Sequence, residues 1–200
     1  MFRQRASRLL SALMLWFGLL SCLPARGGED GRRLLYVAVP GVRNYLEYGG
    51  HGLLVFDVSA GHRFVKRIPT AGLTADGKPD NVKGICVGGP TRRLYISTIR
   101  SVTCIALDTE RVLWERVYAG GCDRLAIAPD GRTLYVPSFE KDHWKILDAA
   151  RGDEIARITP DSGSHNTIYG LDGKHADLAG LRSPLLTVAD TRTHRAAFTV

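Results

Sequence analysis

The chain has 200 residues, 44% hydrophobic and 24% charged, a globular composition that excludes a largely disordered protein. Its formal charge of +7 belongs partly to the leader, since the first thirty residues hold four arginines and two acids and the remainder carries +5. That remainder is scattered rather than clustered, so it reads as a solvated surface and no nucleic-acid partner is expected.

At the N-terminus, Arg3, Arg5 and Arg8 precede a fifteen-residue apolar stretch, Leu9 to Leu23, followed by Pro24-Ala25-Arg26-Gly27. Basic, then apolar, then small is the order of a secretory signal, here residues 1–27, and it predicts an exported protein, periplasmic or extracellular. The stretch falls short of the roughly 20 residues a spanning helix needs, although retention as an uncleaved anchor is a second reading. Leu19-Leu20-Ser21-Cys22 supplies a third, because it resembles a bacterial lipobox with Cys22 as the lipidation candidate. A membrane would be reached only through such an anchor or lipid. The other cysteines, Cys86, Cys104 and Cys122, are odd in number and form no Cys-x-x-Cys, so isolated buried thiols are expected.

After the leader the chain repeats itself. "RRLLYVAVP" with Tyr36 and "GLLVFDVSAG" with Asp57 form a first copy, in which eight additional residues around "VRNYLEYGG" separate the two. "VKGICVGGPTRRLYI", "CDRLAIAPDGRTLYV" and "SHNTIYGLDGKHADLAG" then superpose with reference positions Tyr95, Tyr135 and Asp177, spaced 40 and 42 residues apart. An aspartate follows each by thirteen residues, Asp108, Asp148 and Asp190, so the register is expected to be shared without a gap. These aspartates are expected to accept hydrogen bonds from turn amides. In the third copy, strands are predicted over 124–128, 133–138, 144–148 and 154–158, joined by turns at Pro129-Asp130-Gly131 and Ala150-Arg151-Gly152.

Four short strands every ~40–45 residues is the pattern of β-propeller blades. The predicted class is therefore all-β, a β-propeller of four-stranded blades with about four present across 31–200, at 31–69, 81–119, 122–160 and 164–200. The first copy lacks an innermost strand. Because a seven-bladed ring at this spacing needs roughly 300 residues, a fragment of a larger propeller is expected.

"LAIAPDGRTLYV" and the endings "ILDAARGDEIARI" and "LLTVADTRTH" resemble the YVTN-type, WD40-like repeats of exported bacterial propellers. The likeness spans about 31–200 and departs from the pattern at Asp177 and at Gly88-Gly89-Pro90. It implies the fold, and relatives of lactonase-like and quinoprotein-like kind, but it does not choose a function.

In a propeller the innermost strand lines the channel, and its starting end shares a side with the loop between the second and third strands. The residue twelve before each reference position then stands at the rim: Lys83, Asp123 and His165, with Arg124 and Asn166 beside them. The loops add Tyr45, Tyr48 and His51 from the insertion, and Glu140, Asp142 and His143 from "SFEKDHW". No Gly-x-Ser-x-Gly, His-Glu-x-x-His or Gly-x-x-x-x-Gly-Lys is present, and no catalytic residue is assigned. The reading that results is a non-catalytic propeller binding a protein, polymer or small molecule through its loop-bearing face, with no cofactor. Its alternatives are a metal-assisted lactonase-like hydrolase using a divalent ion near Asp123, Glu140 and His165, and a quinoprotein-associated or electron-transfer subunit.

Overall fold

The computed structural model describes residues 33–39, 52–69, 72–78 and 80–200. Four antiparallel sheets are each built from strands consecutive in the chain. Sheet 1 holds β1 Leu34–Ala38, β2 Leu53–Asp57 and β3 Arg63–Ile68; sheet 2 holds β4 Val82–Gly88, β5 Arg93–Thr98, β6 Ser101–Ala106 and β7 Val112–Val117. Sheet 3 comprises β8 Ala126–Ile127, β9 Thr133–Pro137, β10 Trp144–Asp148 and β11 Glu154–Ile158. Sheet 4 comprises β12 Ser164–Tyr169, β13 His175–Gly180, β14 Thr187–Asp190 and β15 Arg195–Thr199. As the repeat implies, the first sheet has three strands among the described residues and the other three have four.

Successive sheets pack face to face, with the innermost strands β4, β8 and β12 in contact along the series. Leu53, Val55 and Ile68 of sheet 1 meet Leu94, Ile96 and Ile105 of sheet 2. On the other face of sheet 2, Tyr95, Val102 and Cys104 meet Leu125, Leu134, Val136 and Leu147 of sheet 3. Tyr135, Trp144 and Ile146 then turn from sheet 3 to Ala176, Leu178 and Ala189 of sheet 4. A strand buried on both faces carries a continuous apolar run, and one buried on a single face alternates. Accordingly Leu94 to Thr98 of β5 are all buried, whereas in β13 only Ala176 and Leu178 are.

The reference tyrosines Tyr36, Tyr95 and Tyr135 each pack toward the following sheet, the position that Asp177 occupies in sheet 4. Cys104 and Cys122 are buried and Cys86 partly so, all three as free thiols. The shared register fails in sheet 2. Tyr135 pairs with Ile146 and Asp177 with Val188, but Tyr95 pairs with Cys104, because the β5–β6 hairpin is two residues tighter than β9–β10. Asp148 and Asp190 accept turn amides, at 2.9 Å from Ala150 and 2.7 Å from Thr193. Asp108 falls two residues beyond β6 and forms an ion pair with Arg92 instead, at 2.5 Å. Counting residues from the tyrosine located the aspartate without locating its place in the hairpin.

Candidate functional site

The innermost strands lose register at one end. In β4, Val82 pairs with Thr98 and Gly84 with Ser97, leaving Lys83 as the extra residue; in β12, Ser164 pairs with Gly180 and Asn166 with Ala179, leaving His165. Such bulges bend a strand and re-aim its side chains. Sheet 3 does this differently. Asp123 N–H donates to Pro137 O at 2.9 Å, and the ladder begins only at Ala126 opposite Tyr135. Pro137 has no N–H to return, so β8 is shorter than the 124–128 read from the sequence. Arg124, released from that ladder, makes a parallel bridge to Asn166 of sheet 4.

The result brings four of the sequence-predicted residues together. Asp123 is buried, and its Oδ2 lies 2.9 Å from Nδ1 of the half-buried His165. The exposed Arg124 reaches the same ring, its Nη1 being 3.2 Å from Nδ1 and in close contact with Nε2. Arginine only donates, so the tautomer that satisfies both neighbours has Nδ1–H on Asp123 and Nε2 accepting from Arg124. Asn166 Oδ1 accepts the Thr167 N–H at 3.0 Å. Ser97 Oγ donates to Asp123 O at 2.6 Å, fixing the start of sheet 3 to sheet 2. Gly84 allows this close approach: a Cβ there would sit 3.0 Å from Leu125 N and from Ser97 Oγ.

The fifth inner-strand residue, Lys83, places Nζ 4.6 Å from the centroid of the Phe139 ring. Phe139 opens the β9–β10 turn and was missed from the sequence; an aromatic beside loop charges was the available signal. Its N–H and that of Glu140 both donate to Gly120 O at 2.9 Å, and Glu140 is exposed. Asp142 bonds Gly163 N–H at 2.6 Å and pairs with Arg182 at 3.1 Å, tying this turn to sheet 4. His143 is buried at the head of β10, away from the cluster; its Nε2 makes no hydrogen bond, and burial, with Lys145 and Arg157 nearby, lowers its pKa to about 4. Tyr45, Tyr48, His51 and Cys22 lie outside the described residues.

A metal set of Asp123, His165 and Glu140 would need all three to converge, and Glu140 sits on an exposed turn. Among the described residues no group of three His, Cys, Asp or Glu side chains is arranged to hold an ion. What the cluster offers is an exposed guanidinium set against the His165 ring, with Asp123 buried behind it, and the free edge of that guanidinium is a donor suited to carboxylate or phosphate.

Solved structures with the same arrangement decide the architecture. Hydrazine synthase of Kuenenia stuttgartiensis matches with a TM-score of 0.62 at 18% identity, over 75% of this chain and 43% of that one. The Swd1 β-propeller domain of Myceliophteria thermophila matches with a TM-score of 0.60 at 13% identity, over 75% and 49%. The fold is that of a β-propeller. Its four sheets are blades, and the chain spans less than half the length of either structure. No protein-family profile matches the sequence, and no curated protein matches it.

Proposed function

We propose that this is an exported propeller of YVTN-like kind that works by binding, and that the start of its inner strands takes an anionic group of the ligand. The observation that carries the reading is the loss of regular pairing at the start of the inner strands of sheets 2, 3 and 4, which leaves Lys83, Arg124 and His165 at equivalent places and sets Arg124 against His165 with Asp123 buried beside it. Strand breaks of this kind serve to aim side chains at ligands. An arginine whose fork is exposed, with one edge steadied by an imidazole, is prepared for bidentate contact with a carboxylate or phosphate.

Citrate is a suitable probe, presenting three carboxylates in a small molecule. Titration followed by NMR should shift the Arg124 Nε–H and the His165 ring together, and Arg124→Ala should weaken binding about tenfold, the value of one charge-assisted contact. Citrate shifts that are absent, or that persist unchanged in Arg124→Ala, would remove the rim from consideration as an anion site.

A further inference from the structure

Each contact inside the stack joins two different faces of neighbouring blades, and among the described residues the first and last blades each leave one such face open. The residues just before and just after the reference position point to the preceding sheet. In sheets 2, 3 and 4 these are Leu94 and Ile96, Leu134 and Val136, and Ala176 and Leu178, all fully buried. In sheet 1 the same places hold Leu35 and Val37, which are 43% and 37% exposed. They pair with Phe56 and Leu54 of β2, and the Phe56 ring lies 5.7 Å from that of the exposed Phe64. Sheet 1 thus keeps the apolar residues of a blade that has another in front of it.

Sheet 4 presents the opposite kind of face. On the rung that points to the following sheet, sheet 3 has Tyr135 with Ala126 and Ala156, and sheet 4 has Asp177 with Ile168 and Phe198. Where the large tyrosine gives way to aspartate, the two alanines give way to isoleucine and phenylalanine, so apolar bulk is moved along the rung and not lost. Ile168 and Phe198 are 60% and 51% exposed. A repeat that ends a stack in water carries a polar outer face, and neither of these blades does. The two faces also differ in sign: Arg67, in register with Leu54, brings a positive charge to sheet 1, and Asp177 a negative one to sheet 4.

We propose that a second copy of this chain covers both faces, sheet 4 of each copy stacking on sheet 1 of the other. The contact continues one that the chain already makes three times, between the same two kinds of face. Exposed apolar surface of this extent marks a place where a protein is met by another. A second copy supplies the complement of each face at once, which a partner fitted to only one of them does not. Head-to-tail contacts close into a ring where the rotation allows and otherwise run on as a filament. Two chains of four blades give eight, within the four to eight of closed propellers.

The test is light scattering of the full chain as it leaves a size-exclusion column, repeated across a dilution series. The expected mass is twice that of one chain. Leu35→Glu in sheet 1 and Ile168→Glu in sheet 4 each put a charge into the contact, and each should raise the dissociation constant by at least about tenfold. Both residues are exposed in the single chain, so the dissociated variants should keep the β-sheet circular dichroism of the parent. Val117→Glu, on the outer strand of sheet 2 and 76% exposed, should leave the dimer intact. A monomer at every concentration, or an open series of larger species, would overturn the proposal. So would dissociation by only one of the two variants, which would mean that like face stacks on like, and so would dissociation by neither.

Discussion

Two consecutive blade contacts, between sheets 2 and 3 and between sheets 3 and 4, are made by the same repeat and end differently at the turn side. In the first, three aromatic side chains reach carbonyls: Tyr95 Oη and Trp114 Nε1 donate to Ala149 O at 3.0 and 3.3 Å, and Tyr118 Oη donates to Gly152 O at 2.6 Å. Thr91 closes what is left against Gly131. In the second, Tyr135 turns to His194, Tyr169 has no well-formed bond, and a cavity opens. One contact is closed by hydrogen bonds to carbonyls, and the other leaves the Tyr169 hydroxyl buried with no carbonyl partner beside an open cleft.

The two contacts should therefore respond differently to change. The largest effect is expected from Trp144→Ala, because Trp144 is fully buried between sheets 3 and 4 and its Nε1 donates to Thr167 Oγ1 at 2.9 Å. Loss of a buried tryptophan costs about 3–5 kcal/mol. Trp114→Ala, at the half-buried ring of the first contact, should cost less in the same denaturant titration.

Acid should loosen the second contact first. It holds His194, whose pKa is lowered by burial, and sheet 3 holds His143, lowered to about 4. Both pKa values are depressed on folding, so their contribution is present above the unfolded value near 6.5 and is lost as pH falls toward about 4. Hydrogen exchange at pH 7.5 and at pH 4.5 should show protection falling more in β12–β15 than in β4–β7; equal loss in both would contradict the difference.

The smallest effect separates the contacts most cleanly. Tyr95→Phe removes a satisfied buried hydrogen bond to Ala149 O and should cost about 1 kcal/mol, whereas Tyr169→Phe removes a buried hydroxyl that makes no bond of normal geometry and should cost clearly less. A matching loss in both variants, measured by thermal unfolding, would mean that Tyr169 is bonded after all.

The blades were legible in the sequence because sheets buried on both faces leave unmistakable apolar runs, as in Leu94 to Ile96 and Leu134 to Val136. Rim positions were legible for a related reason: a fixed interval from the reference residue reached Lys83, Asp123 and His165. Their pairing was not, because it depends on a bulge and on Pro137 breaking a ladder, events of one hydrogen bond that no period records. His143 shows the limit of polarity as a guide, since a loop-flanking histidine turned out to be buried. The cavity could have been noticed by setting Gly131 under Thr91 and Tyr169 under Ile127, where a plug is lost and a hydroxyl gained.

The most direct test of the rim is the tautomer of His165, read from its ring 15N shifts in mildly alkaline buffer. Two blades meeting at Asp123, His165 and Arg124 predict a proton on Nδ1, held by Asp123 and lost to the other tautomer in Asp123→Asn. A proton on Nε2 in both proteins, as on an imidazole free in water, would contradict the assembly of the site.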